Sequence, residues 1–451
     1  MDRDYTYLSY TRSICSHCGR LCDGKIVYND SGVFLLKCCP EHGEHLELYE
    51  DLSSWQLRKV QYDKPGTGSL VQSEVRQGCP YDCGLCPSHD QHSCIGLIEI
   101  TGRCNLGCSM CYASAGEGID LDLPTIERMM DFLMAAEDHQ AEILQISGGE
   151  PTLHPDILTV LHMAKQKGFR YVMLNTNGIR LAEEEAFAAS LAELRGGFEV
   201  YLQFDGLQDG IYRKLRGRDL AQIKERAIRN LTAAKVPSTL VATIETGVND
   251  DVIGEILTYG MNTPGVRGVN FQPLAYYGSS KAPASRATLS GILAAIEKQT
   301  GGLLRLDDFI PLPCNTERVA LTYLLRDKSG FKAITRNRDL REFRQVIGST
   351  FMFTVDDVLA NFQAGSSIFN LKGCCDLIED IKGLLPLNYL QRSKEEKLRF
   401  VDENTFRISV SSFIDRYNFE MKSAQKECVH VVTPDLRRIP FSMYNLIHRG
   451  S

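Results

Sequence analysis

The stretch Thr101-Gly-Arg-Cys-Asn-Leu-Gly-Cys-Ser-Met-Cys-Tyr112 sets three cysteines, Cys104, Cys108 and Cys111, at C-x3-C-x2-C spacing directly behind the apolar run Leu97-Ile-Glu-Ile100. A closed iron–sulfur cube takes four thiolates. Three thiolates on one short loop predict a cube with one iron left open, a place to bind and reduce something. The alternative is a zinc knuckle completed by a distant ligand. Spacing alone leaves both readings open.

Outward from this loop the pattern alternates. Strands are expected at Leu97–Ile100, Glu142–Ile146, Tyr171–Leu174, Phe198–Phe204, Thr239–Glu245 and Gly268–Gln272. Helical spacing lies between them at Leu123–Ala136, Ile157–Gln166, Ala182–Leu194, Ala221–Ala234 and Asp250–Tyr259. Strands that alternate with helices at this rhythm predict an α/β fold with a parallel sheet and right-handed crossovers. Six such units predict a partial (β/α)6 barrel rather than a complete eightfold one. Functional groups of such sheets gather at the carboxyl ends of the strands. The first strand runs into the three-cysteine loop, the second into Gly148-Gly149-Glu150, the third toward Asn177, the fourth into Asp205-Gly206 and the sixth into Gln272-Pro273. Taken singly, Gly148-Gly149 reads equally as a turn, Asn177 as a helix N-cap and Asp205 as a turn residue.

Composition sets the outer bounds. Fifty Lys and Arg face 57 Asp and Glu in 451 residues, a net charge of -7 with no long basic block, so nucleic acid is not an expected partner. No apolar run reaches the roughly 18–20 residues that cross a bilayer, and Met-Asp-Arg-Asp at the start is not followed by an apolar signal core. A cytoplasmic protein is expected, with peripheral membrane contact still compatible. Twelve of the 16 cysteines precede residue 112. Clustered C-x2-C spacing in a long chain without a signal reads as metal or cluster ligands before disulfides.

Residues 1–60 read as a small metal-binding domain. Lys25–Tyr28 and Val33–Leu36 flank the turn Asn29-Asp-Ser-Gly32, and Cys15-Ser-His-Cys18 and Cys39-Pro-Glu-His42 bracket that hairpin. So small a unit needs a staple, and two ligand pairs across a hairpin suit a tetrahedral ion. Cys15, Cys18, Cys39 and His42 are the expected ligands. Cys22 and Cys38 are rivals, His17 and His45 read as surface residues, and zinc and iron both fit. Residues 61–95 form a linker around Lys64-Pro-Gly-Thr-Gly-Ser69 that repeats the C-x3-C-x2-C spacing at Cys79, Cys83 and Cys86. Cys94 is the expected fourth thiolate, which makes this an auxiliary closed cube. His89 and His92 read as solvated. Residues 96–310 carry the alternating core. In the less regular residues 311–451, Cys314, Cys374 (or Cys375) and Cys428 are expected either as a second auxiliary cluster or as buried small hydrophobes.

Cys104-x3-Cys108-x2-Cys111 followed by Gly148-Gly149-Glu150-Pro151 resembles the radical S-adenosylmethionine (SAM) superfamily over roughly residues 95–275. The resemblance implies a [4Fe–4S] cube on the three thiolates, an open iron chelated by SAM, and one-electron cleavage to a 5′-deoxyadenosyl radical that takes hydrogen from an unactivated carbon. It implies that Gly148 and Gly149 offer backbone to the methionyl amino group, that Glu150 orients it, and that Asn177 and Asp205 face the ribose or carboxylate. Met110 stands where the family often has an aromatic residue, with Tyr112 close by. The knuckle, the Cys-Pro-x-x-Cys-Gly-x-Cys-Pro block and the tail Cys428–Asn445 together resemble archaeal tetraether lipid synthases and pterin-type radical SAM methyltransferases. Ser411, Ser412 and Ser442 stand where that resemblance leads one to look for further cysteines. It implies carbon–carbon bond formation on a lipid-like substrate in a long apolar cavity, or alternatively methyl or methylene transfer to a pterin or other small molecule. A ferredoxin- or flavodoxin-type donor would supply the electron. The non-enzymatic alternative is a metal-binding maturation protein. Of Arg213, Lys214 and Arg216, placed near the active face, each singly reads as a solvated helix residue.

Overall fold

A computed structural model of the 451-residue chain describes residues 4–113, 116–277, 285–327, 330–336, 391, 393, 396 and 404–449. Cys374 and Cys375 lie outside the described residues. The first four strands, β1 (Thr6–Ile14), β2 (Leu21–Asn29), β3 (Gly32–Cys39) and β4 (Gly43–Glu50), form an antiparallel sheet in chain order. A short helix, α1 (Ser53–Lys59), follows.

The second sheet has 12 strands. Its core elements are β5 (Ile95–Glu99), α2 (Leu123–Ala136), β8 (Ile143–Ser147), α3 (Ile157–Gln166), β9 (Tyr171–Thr176), α4 (Ile179–Glu183), α5 (Glu185–Ser190), β10 (Phe198–Gln203), α6 (Asp209–Arg216), α7 (Ala221–Ala233), β11 (Ser238–Ile244), α8 (Ile253–Asn262) and β12 (Val266–Pro273). β6 (Thr101–Arg103) and β7 (Glu117–Asp120) make a separate two-stranded ribbon. After α9 (Leu289–Gln299) come β13 (Ile310–Pro311), β14 (Val319–Asp327), β15 (Gly330–Ala333), β16 (Thr405–Ser411), β17 (Val429–Val432) and β18 (Arg438–Pro440).

The six expected strands are present and parallel, in the order β12-β11-β10-β9-β8-β5. Two further parallel strands flank them. β16 joins β12, and β17 joins β5. Their sequences lie in the region where the expected strand–helix rhythm had ended; among the described residues β17 is preceded only by a five-residue helix, Met421–Gln425. β14 then pairs antiparallel with β16, and β18 with β17. Among the described residues the two ends are not hydrogen-bonded to each other, so the barrel is not closed. The sheet nevertheless curls, since inward-facing residues from Leu97 on β5 to Leu321 on β14 line one cavity.

Helices cover the outer face. The apolar faces of α2, α3, α7, α8 and α9 pack on the strands to form the main core. Parallel strands need both faces covered, which explains their nearly unbroken apolar sequences. The helix expected at Ala182–Leu194 begins earlier, at Ile179, and is broken at Glu184. The one expected at Asp250–Tyr259 starts at Ile253, after a turn capped by the Asn249 side chain.

The N-terminal sheet is tied to the rest of the chain by buried charge. Lys59 is fully buried and its Nζ lies 3.3 Å from Glu50 and 2.8 Å from Glu317. Tyr49 donates to the same Glu317 at 2.9 Å. Burial would raise the Glu317 carboxyl, and Lys59 more than offsets this, holding it below its ordinary value. Removing one partner of such a set leaves buried carboxylates uncompensated. Lys59→Met is therefore expected to destabilise the protein by about 3–5 kcal/mol at neutral pH, read by urea unfolding.

Candidate active site and metal centres

The three-cysteine loop hangs from the β6–β7 ribbon. Thr101 pairs with Asp120, and Arg103 with Glu117. Arg103 clamps Asp120 with Nε and Nη2 at 3.0 and 2.7 Å, and its Nη2 also reaches the Leu153 carbonyl at 2.6 Å. Gly102 and Gly118 face each other so closely that a Cβ on Gly118 would lie 2.4 Å from the Gly102 Cα. Cys104 and Cys108 are half-buried and Cys111 is exposed.

The turn after β8 fastens this ribbon. Gly149 N–H donates to the Thr101 carbonyl and Glu150 N–H to the Arg103 carbonyl, each at 2.8 Å. Gly148 has φ +141°, and a Cβ there would meet the Thr101 carbonyl at 2.4 Å. Glu150 is buried. Its carboxylate accepts from Thr152 N at 3.1 Å, Thr152 Oγ1 at 2.6 Å, Thr176 Oγ1 at 2.7 Å and Asn177 N at 2.7 Å. Asn177 in turn donates to Asn105 in the cysteine loop at 2.7 Å, and its Oδ1 accepts from Ile179 N at 3.0 Å. Gly178, not Asn177, caps α4; Asn177 stands one residue before the cap and lines the cavity.

Asp205 departs from expectation. It is fully buried and not on the cavity wall. Its carboxylate is gripped by Arg216 through Nε at 2.8 Å and Nη2 at 2.9 Å. Arg216, not Asp205, faces the cavity beside Cys108. Burial disfavours its charge, but Asp205 outweighs that and raises its pKa. Of the three basic residues on α6, Arg213 and Lys214 are exposed as expected. Arg216 was legible only as one of a run, because the partner that turns it inward sits 11 residues earlier. Lys224 is a second residue that the sequence does not mark. It is fully buried on α7, donates to Gln203 at 2.9 Å, and burial lowers its pKa to about 7.

The cavity holds about 310 Å³ and starts at Cys104, Cys108, Cys111, Gly148, Gly149 and Glu150. Tyr112 lines it, edge-on to Phe441 with centroids 5.2 Å apart. Its wall also carries polar groups among apolar ones, with Asn270, Asn315, Arg318, Arg407, Ser411 and Glu427 beside Val319, Leu321 and Phe413. The Asn315 Oδ1 is buried without a partner. Glu427 accepts from Ser442 N at 3.1 Å, and burial pushes its carboxyl up to about 7.

Among the described residues only two groups bring three or more donor atoms within 4.8 Å of one another. One is the expected knuckle. Cys39 Sγ lies 3.6 Å and Cys15 Sγ 3.8 Å from His42 Nδ1, and Cys18 Sγ is 3.8 Å from Cys39 Sγ. Neither Cys22 nor Cys38 belongs to it. His17 is exposed, but His45 is only half-exposed, with both ring nitrogens buried. The second group is Cys94, Cys314 and Cys428, all buried. This corrects the ligand set of the Cys79 loop. Cys94 cannot be its fourth thiolate, because the chain from Ile95 into β5 carries Cys94 toward Cys314 and Cys428 instead. Cys79, Cys83 and Cys86 line a small cavity with His89, and no other cysteine lines it among the described residues. His89 and His92 are not solvated either. His89 Nε2 lies 3.0 Å from His430 Nε2, and His92 Nδ1 lies 3.1 Å from Glu137.

Comparison with known proteins agrees with this geometry. Residues 98–259 match the radical SAM superfamily, and residues 7–51 match the HMPTM N-terminal zinc ribbon domain. Over 97% of its length the chain is 32% identical to the 7,8-dihydro-6-hydroxymethylpterin dimethyltransferase of Methanocaldococcus jannaschii, of which it covers 94%. The chain belongs to the radical SAM superfamily. A probable GTP 3′,8-cyclase of Methanothermobacter thermautotrophicus is 28% identical over 37% of this chain and 48% of its own. The structure of a radical SAM methyltransferase from Sphaerobacter thermophilus aligns at TM-score 0.34 and 16% identity, covering 66% of this chain and 74% of that one.

As a radical SAM enzyme the protein uses a [4Fe–4S] cube and SAM. Three thiolates that open onto the cavity without crowding around one point suit a cube, whose irons each take a separate ligand. No helix among the described residues is long and apolar enough to cross a membrane.

Two outcomes are expected of this radical SAM site. Gly148→Ala must displace the Thr101 carbonyl and the cysteine loop with it, so the variant should lose about 1–3 kcal/mol of stability and fall short in iron on anaerobic reconstitution. Lys224 titrates near pH 7 in the folded cluster-free chain and near 10.4 when unfolded. Between those values the unfolded state binds the extra proton, so stability rises with pH. Measured against Lys224→Met, the cluster-free chain should gain stability from pH 7 to pH 9, at up to about 1.4 kcal/mol per pH unit.

Proposed function

We propose that the protein transfers one-carbon groups to a ring carbon of a small polar heterocycle of the pterin class, by radical SAM chemistry. The observation that carries this reading is the end-to-end similarity to the Methanocaldococcus jannaschii pterin dimethyltransferase, 32% identity over nearly the full length of both chains. Polar groups on the cavity wall support it. A pterin presents ring and exocyclic N–H donors along one edge, and Glu427 and the unpartnered Asn315 Oδ1 are acceptors set into that wall.

In this reading Cys104, Cys108 and Cys111 hold the cube. With SAM bound, the cube supplies the electron that cleaves the sulfonium. The chain's own residues do the placing. Arg216, aimed by Asp205, binds the SAM carboxylate. Gly148 and Gly149 let the backbone approach the methionyl group, and Glu150 and Asn177 keep the ends of β8 and β9 in register with the cysteine loop. Tyr112 and Met110 give the adenine an apolar face. Cys15, Cys18, Cys39 and His42 hold a structural ion, and Cys79, Cys83 and Cys86 an auxiliary cube. A low-potential ferredoxin- or flavodoxin-type protein delivers the electron.

The test is anaerobic turnover of the reconstituted protein with 7,8-dihydro-6-hydroxymethylpterin, SAM and a reductant, using carbon-13 in the SAM methyl group and, separately, in a methylene donor. Mass gain on the pterin is expected. Release of 5′-deoxyadenosine with the pterin unchanged, together with labelled coupling of a lipid substrate, would reverse the reading. Cys104→Ala should abolish 5′-deoxyadenosine. Arg216→Met should weaken SAM binding by about tenfold to a hundredfold while leaving the iron content intact, as expected for loss of a charge-assisted hydrogen bond.

A further inference from the structure

The two kinds of cysteine cluster in this chain differ in shape. Cys104, Cys108 and Cys111 open onto the cavity, and they do not form a group with all sulfurs within 4.8 Å, nor do Cys79, Cys83 and Cys86. Cys94, Cys314 and Cys428 do form one. Cys314 Sγ lies 3.6 Å from Cys428 Sγ. Thiolates that share one tetrahedral ion at bonds of ~2.3 Å sit ~3.8 Å apart. A cube holds each thiolate on its own iron, so its ligands stand farther apart. The knuckle, with Cys18 and Cys39 sulfurs 3.8 Å apart, is the internal standard for the compact geometry. The buried trio matches that standard and not the cube, which departs from the second auxiliary cluster expected there.

Beside the trio stands His92, whose Nε2 lies 3.6 Å from Cys94 Sγ but which falls outside the group of mutually close donor atoms. Its other nitrogen, Nδ1, faces the Glu137 carboxylate at 3.1 Å, and that carboxylate also accepts from Ser93 N at 3.1 Å and pairs with the buried Arg438, which fixes the segment that carries Cys94. The charge balance of the trio fits a divalent ion as well. Three thiolates and a divalent ion leave one negative charge, and the half-buried Lys64 ammonium faces Cys94 and Cys314.

Position gives the site its role. Cys94 directly precedes β5, and Cys428 directly precedes β17, at one end of the curled sheet. Cys314 sits between β13 and β14, at the other end. The ends share no hydrogen bonds across the seam among the described residues, yet Tyr62, Ile310, Leu312 and Val319 pack around these sulfurs. We propose that Cys94, Cys314 and Cys428 bind a single borderline-soft divalent ion, zinc or iron, that fastens the two ends of the sheet where a second auxiliary cube was expected. The assignment stands apart from the pterin reading, since it concerns what the site holds and not what the cavity turns over.

Anomalous diffraction from holoenzyme crystals, recorded across the iron and zinc edges, tests it without any mutation. One isolated peak among the three sulfurs is expected, with the compact multi-iron peak at Cys104 as control, and the edge at which the peak appears tells zinc from iron. A multi-iron peak at the trio, or a Cys314–Cys428 disulfide with no metal, overturns the proposal. Metal and sulfide analysis of Cys314→Ser supplies a second readout, with loss of one ion and no inorganic sulfide expected. Loss of about four irons with their sulfides overturns it.

Discussion

The turn Gly148-Gly149-Glu150 is the joint on which the site depends. Its two amide groups hold the ribbon that carries the cysteine loop, and the Glu150 carboxylate holds the start of the segment after β9. A side chain at Gly148 would push into the Thr101 carbonyl, so the contact exists only because that residue has none. The base of the cysteine loop, Asn177 and the cavity mouth are thereby set relative to one another by backbone and one buried carboxylate. Placing such a site at the strand ends of a parallel sheet follows from the fold, since there the turns converge while both sheet faces are covered.

Much of this was legible in the sequence because it is local. Leu123–Ala136 and Ile157–Gln166 begin and end where their spacing says, and all six central strands lie where apolar runs are punctuated by turns. The cysteine spacing and Gly148–Glu150 announce their chemistry within a dozen residues each. What stayed hidden is what depends on partners far along the chain. β16 and β17 extend the parallel sheet only by pairing with strands more than 100 residues earlier. Cys94 looked like the fourth member of the Cys79 loop because it is near in sequence, whereas its real neighbours are Cys314 and Cys428. Asp205 looked like a ligand-facing acid, and its role passes through Arg216.

Buried charge does the joining between segments. Lys59 with Glu50 and Glu317, Arg438 with Glu137, and Arg286 with Asp415 each connect parts of the chain far apart in sequence. Such pairs add less to stability than hydrophobic packing of equal volume, and they are strict about geometry. That strictness suits an interior where metal ligands from distant segments must meet.

The segment that completes the cavity lies far downstream of the cysteine loop. Phe441 packs on Tyr112, and Arg449 grips Glu99 at 2.7 and 3.0 Å across 350 residues of sequence. A chain emerging from the ribosome therefore presents Cys104, Cys108 and Cys111 long before their covering wall exists. Throughout that interval the thiolates stand open to whatever delivers iron and sulfide, and the arrival of that downstream segment turns an accessible loading dock into a sheltered reaction chamber.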